Sequence, residues 1–272
     1  MNPENMLRAF GAIIITGGSS GIGKAFLEHI HTVNPELPIF NLSRTIPDFQ
    51  GMPKLKLILR HVPCDFTDRG QLEDACVSLV ETLGRELPSG RILLINNSGY
   101  GTYGPFPKPD LPRNLEMLDV NVRAPVALTG FLLPLLRERG GAIINVASTA
   151  AFQAIPGMAN YAATKAFLLH WSLALSVELR PAGVSVLAVC PGPTRTRFFA
   201  NAGMGDSLLP RFAGQQPDQV VRGSLTALAK GRSLHVSGWK NKLTVAAVSV
   251  LPKTFAARAA GWVVGRLRPT GA

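Results

Sequence analysis

Acidic residues are missing from the last fifth of this chain: no aspartate or glutamate follows Asp218 in a sequence of 272 residues. Nine cations stand in that stretch, at 222, 230, 232, 240, 242, 253, 258, 266 and 268, which leaves 19 basic against 17 acidic residues in the body. The net charge of +11 therefore belongs to the tail. No recognition motif for nucleic acid accompanies it, so a nucleic-acid partner is not expected. Cysteine is scarce: Cys64, Cys76 and Cys190 make no close pair and leave an odd thiol in any pairing, which suits a reducing compartment. None of the three has metal-ligand spacing, and His29 and His31 are expected on a solvated helix face, so no metal is assigned. No basic leader with an apolar core precedes the first strand. The longest tail run, Leu243 to Leu251, stops at Pro252 and Lys253, far short of a membrane span. A cytoplasmic, non-spanning protein is expected.

What is present is an alternation of short apolar runs with helical stretches. Strands are expected at Phe10–Ile15, Pro38–Leu42, Leu55–Val62, Arg91–Ile95, Gly141–Ala147, Val184–Val189 and Ser233–Val236. Between them lie helical patterns from Lys24 to Val33, from Thr67 or Asp68 to about Leu87, from Arg113 to Arg137, from Tyr161 to Arg180 and from Pro217 to Lys230. Runs apolar on both faces, alternating with helices, imply a doubly wound parallel α/β sheet of about seven strands. We expect one Rossmann-like domain over residues 1–236. A basic helical extension over 237–272 would be split by Pro252.

The ends of these strands collect the chemistry. The first runs into Thr16-Gly17-Gly18-Ser19-Ser20-Gly21-Ile22-Gly23, a glycine turn opening a helix, where free backbone N–H groups can meet a phosphate. The spacing Gly-x-x-x-Gly-x-Gly differs from the usual dinucleotide fingerprint, and a turn without a ligand is the alternative. Ser43 and Arg44 follow the second strand, where a carboxylate would select NAD and a cation accommodates the extra phosphate of NADP. The alternative is an arginine that only faces solvent. Asp65 ends the third strand and could accept from an adenine amino group. Asn96, Asn97 and Gly99 end the fourth, where asparagine amides can tie strand ends together. Asn121, amid apolar neighbours, is either a satisfied core amide or a helix bend holding a water.

Ser148 closes the fifth strand, at the sheet edge where open α/β sheets bind ligands. Tyr161 and Lys165 lie one helical turn apart and share a face. At about 5 Å and an effective dielectric of about 20, the ammonium would favour the phenolate by roughly 3 kcal/mol, bringing the phenol towards use as an acid or base. Pro191, Gly192 and Thr194 form a stiff turn suited to a flat ring. The irregular segment Arg195–Gln216, with Phe198, Phe199, Met204, Leu208 and Leu209, is either a lid over an apolar substrate or a packed surface loop. The tail beyond Gly238 is either an interfacial anchor giving peripheral membrane contact or a cover for the pocket or a partner subunit.

Together these motifs resemble the short-chain dehydrogenase/reductase (SDR) family from about Gly11 to Thr196. The family's Thr-Gly-x-x-x-Gly-x-Gly falls on Thr16–Gly23, and its Asn-Asn-Ala-Gly falls on Asn96–Gly99 with Ser98 in place of alanine. The resemblance implies a catalytic set of Asn121, Ser148, Tyr161 and Lys165. It implies cofactor contacts from Gly17, Ser19, Ser20, Gly21, Ile22, Gly23, Ser43, Arg44, Asp65, Asn97, Gly99, Pro191, Gly192 and Thr194, with Tyr161 and Lys165 shared. It further implies NADP-dependent reduction of a small, hydrophobic carbonyl compound to an alcohol, by a homodimer or homotetramer. The tail resembles that of a poorly defined SDR subgroup with similarity to 3-oxoacyl reductases. A non-catalytic NADP-binding sensor or scaffold is the alternative.

Overall fold

The structure is a computed structural model that describes residues 2–48, 58–87, 89–204 and 214–266, with 265 and 266 as backbone only. Seven strands, β1 (Phe10–Thr16), β2 (Ile39–Ser43), β3 (Leu59–Pro63), β4 (Arg91–Asn96), β5 (Gly141–Val146), β6 (Val184–Cys190) and β7 (Leu234–Val236), form one sheet. Their order is β3-β2-β1-β4-β5-β6-β7, and every pairing is parallel. The order reverses between β1 and β4, which opens a crevice at their carboxyl ends.

The strands are apolar throughout because both faces are covered. In β1, Ile13 and Ile15 turn towards Phe26, Leu27 and Ile30 of α2 (Gly21–Val33) and Val220, Val221 and Leu225 of α8 (Pro217–Ala229). Ile14 turns the other way, to Leu79 and Leu83 of α3 (Arg69–Glu86) and Leu128, Leu132 and Leu136 of α5 (Ala124–Arg139). The long α6 (Ala159–Glu178) packs against β6. Asp68 caps α3 by accepting from the Gln71 N–H at 3.1 Å.

Several sequence expectations are corrected. A helix not expected, α1 (Pro3–Arg8), precedes β1; Asn2 caps it, and it buries Met6 and Leu7 in the core. The third strand is described over Leu59–Pro63; its expected start at Leu55 lies outside the described residues, as do Leu208, Leu209 and Arg268. The helix expected over Arg113–Arg137 is α4 (Leu111–Leu118) and α5, joined by a π turn at Asp119–Arg123. By length and composition Leu111–Arg139 could also cross a membrane, unlike the Leu243–Leu251 run singled out above. Its Leu128, Leu132 and Leu136 lie instead in the core beside the sheet. His29 and His31 are half-buried and not on a solvated face. A short α7 (Phe198–Asn201) follows β6, and α9 (Trp239–Val250) and α10 (Lys253–Arg266) flank Pro252.

Candidate active site

The carboxyl ends of β1 to β6 surround one cavity of about 500 Å³. Of the site residues taken from the sequence, all but Gly23 and Asn121 line it. Its floor is held by side chains reaching between strand ends. The Thr16 hydroxyl accepts from the Asn97 and Ser98 N–H groups, each at 2.9 Å. The Asn97 amide donates to the Thr16 carbonyl at 2.9 Å and the Gly17 carbonyl at 3.2 Å. Asn96 donates to Asn145 at 2.8 Å, tying β4 to β5. Asn41, which the sequence reading passed over, is buried on β2 and accepts from the Gly18 N–H at 2.8 Å. The signal was there: a lone amide in the apolar run Ile-Phe-Asn-Leu must find a partner.

The glycine turn has the backbone that its residues allow. Gly17 and Gly21 have φ of +70° and +56°, a region that other residues enter at a cost. Gly23 stands behind the turn: a Cβ there would lie 2.2 Å from the Gly17 carbonyl oxygen. At the start of α2, Ser20 makes no side-chain cap and the first turn has no acidic residue. The first N–H groups of a helix have no intrahelical partner, and an anion fits there. The turn thus fits a phosphate-bearing cofactor.

Arg44 and Asp65 face each other across the neighbouring part of the cavity at 3.8 Å. Burial works to raise the Asp65 carboxyl, but the Thr67 N–H and hydroxyl, at 3.0 and 2.8 Å, and Arg44 bring it below its ordinary value. Asp65 is a carboxylate at neutral pH. Ser43 is buried and gives its hydroxyl proton to the Thr45 carbonyl at 2.8 Å. Arg113, another cation not anticipated, joins this wall with its guanidinium 4.1 Å from the centre of the Tyr100 ring.

At the other end of the cavity Tyr161 and Ser148 line the wall together, and Ser148 works to lower the phenol. The Lys165 ammonium donates to the Val146 carbonyl at 2.9 Å and lies 5.9 Å from the centre of the Tyr161 ring. The expectation that the lysine acidifies this phenol is corrected here. Burial dominates and pushes Tyr161 up to about 12, against the effect of Ser148. The same burial pushes Lys165 down to about 8. Two charges that water no longer solvates both retreat towards their neutral forms.

Asn121 does not reach the cavity. It sits in the π turn, fully buried, with its oxygen accepting from the Tyr100 N–H at 3.1 Å. Its amide donates to the Tyr100 carbonyl at 2.9 Å and the Thr164 hydroxyl at 3.0 Å. A Cβ at Gly99 would lie 3.0 Å from the Asn121 oxygen and 3.1 Å from Lys165 Nζ, so the two groups approach each other across that glycine.

Beyond Tyr161 the wall is apolar. Phe198 lies 5.1 Å from the Tyr161 ring, centre to centre, and Met158, Ile155, Met204 and Val264 line the same region. Val264 comes from α10, so the tail contributes to the cavity. Among the described residues, no three His, Cys, Asp or Glu side chains come together as a metal site would need.

This arrangement of strand ends, glycine turn and Ser-Tyr-Lys cluster coincides with a family pattern. The profile of the short chain dehydrogenase family matches residues 11–206. The chain belongs to that family. This SDR chain is 32% identical over 191 residues to serine 3-dehydrogenase of Rhizobium radiobacter, spanning 69% of this chain and 74% of that one. It is 30% identical over 198 residues to the NADPH-dependent 3-dehydrocapnine reductase of Ornithobacterium rhinotracheale, covering 71% and 68% of the two chains. A short-chain dehydrogenase from Sphingobium yanoikuyae, solved in complex with NADPH, superimposes with a TM-score of 0.74 at 26% identity, over 97% of this chain and 98% of that one. As an SDR, this protein is an oxidoreductase.

Proposed function

We propose that this SDR protein reduces an apolar ketone, aldehyde or 3-oxoacyl group to the alcohol, using NADPH. The observation that carries the reading is the Ser148–Tyr161 hydroxyl pair, in one cavity with Lys165 and an apolar wall. Bound NADPH would supply a hydride to the carbonyl carbon.

Tyr161, kept protonated at neutral pH by its burial, gives its hydroxyl proton to the carbonyl oxygen as that oxygen gains charge. Ser148 steadies the same oxygen with a hydrogen bond. Lys165 supplies a positive charge beside the phenolate left behind, and Asn121 fixes the backbone of Tyr100 and the position of Thr164 one residue before that lysine. The glycine turn and the start of α2 would receive the cofactor's phosphates. Arg44 would receive the additional phosphate that distinguishes NADP, which agrees with the NADPH of the Sphingobium structure and the Ornithobacterium reductase.

The test is a panel of ketones, aldehydes and oxoacyl thioesters of graded chain length, with NADPH consumption followed in wild type and Tyr161→Phe. The expected result is turnover by wild type and its loss in the variant, with NADPH binding retained, since a general acid contributes about 100-fold or more. Unchanged turnover in Tyr161→Phe would exclude it as the acid. NADPH binding with no turnover across the panel would favour a nucleotide-binding sensor.

A further inference from the structure

We propose that the outward faces of α9 and α10 form a docking surface for an anionic lipid bilayer. On α9, Trp239, Leu243 and Val250 are 68%, 63% and 83% exposed. Spaced at i, i+4 and i+11, they form one stripe along the helix. Lys240 follows Trp239 and Lys242 precedes Leu243, which sets one ammonium on each side of the stripe. On α10, Phe255 and Trp262, at i and i+7, are 57% and 60% exposed, with Arg258 beside them. The opposite side of α10 is already committed inward. Ala256 and Ala260 are buried, Gly261 abuts Pro156, and Val264 lines the cavity.

A surface helix normally turns its apolar side to the core and its polar side to water. The tail helices are apolar on both sides, and the charged residues that border the outer apolar stripe are all cations. Charge selects the occupant. No acidic residue stands anywhere beyond Asp218, so a second copy of the same face would bring lysine against lysine. An anionic bilayer takes both parts at once: the aromatic and aliphatic side chains enter the headgroup boundary, and the flanking lysines reach to lipid phosphates. This proposal does not rest on the reductase reading, because binding is read without substrate.

The experiment is flotation of the full chain with vesicles of phosphatidylcholine alone and of phosphatidylcholine mixed with phosphatidylglycerol. Wild type should float with the mixed vesicles only, and added salt should release it. The triple variant K240Q/K242Q/R258Q should bind the mixed vesicles roughly 100-fold more weakly, as follows from the loss of three surface cations. Trp239→Ala with Leu243→Ala should weaken binding while leaving the salt dependence in place. These side chains are exposed, so an unchanged unfolding curve verifies that each variant is folded. Absence of flotation, equal flotation with neutral vesicles, or binding that both variants leave intact would overturn the proposal. So would a wild-type oligomer that the variants dissociate without any vesicle binding, because that result assigns the face to a second copy.

Discussion

The Lys165 ammonium donates its 2.9 Å hydrogen bond to the carbonyl of Val146, the last residue of the strand that leads to Ser148. The cation is thus fixed to the sheet edge by backbone, and burial lowers it to about 8. kcat/KM for NADPH, which reports the free enzyme, should fall as pH rises through about 8, when this charge is lost. Tyr161, raised to about 12, should add no titration at lower pH. Stability responds in the opposite sense. The unfolded lysine keeps its proton to about its ordinary 10.5, so the unfolded state binds more protons between about 8 and 10.5, and this group makes stability rise with pH there. Lys165→Met should abolish that rise in denaturation curves taken across the window.

Asn121 is a positioning residue whose three hydrogen bonds hold Tyr100 and Thr164. Asn121→Ala would leave the Tyr100 N–H and carbonyl without their partner. A loss of about 3 kcal/mol in chemical denaturation is expected. Asn121→Asp keeps the acceptor for the Tyr100 N–H but sets a buried carboxyl oxygen against the Tyr100 carbonyl, and should not recover that loss.

On the proposed reading, Arg44 is the residue that would tell NADPH from NADH. Its side chain is largely exposed and paired with Asp65 only at 3.8 Å, so it can turn to a phosphate at little cost. Arg44→Ala should weaken NADPH binding roughly tenfold, the scale of one charge-assisted bond, and leave NADH binding nearly unchanged. Fluorescence titration with both cofactors checks this, and an equal loss for both would remove Arg44 from the phosphate site.

Gly23 permits α2 to approach the turn. In Gly23→Ala the added methyl would meet the Gly17 carbonyl oxygen at 2.2 Å and the Asn97 amide at 2.5 Å. Backbone cannot yield there as a flexible side chain would. We expect a cost of about 3 kcal/mol and loss of cofactor binding, measured by denaturation and by titration.

The sheet was legible in the sequence because both its faces are buried. Ile13, Ile14 and Ile15 in succession serve two cores, and a short β-branched run of this kind bounded by a glycine turn marks a buried strand. The site was legible because each strand end places a distinctive residue at the same edge. Less visible were features that depend on what lies across the cavity. α1 has only six residues, too few to show a helical period, although Asn2, Pro3 and Glu4 carry the signals of a helix start. The π turn at Asn121 reflects bonds to residues 21 positions earlier and 43 later. The reversal of the expected Tyr161 shift has the same origin: spacing along a helix gave the neighbouring charge, but the depth of burial that outweighs it is a property of the assembled walls.

Helix α10 presents Val264 to the cavity and Phe255 and Trp262 to the exterior. A helix is only about 10 Å across. Under the two proposals made above, a single helix would stand between a lipid surface and a substrate, one on each of its sides.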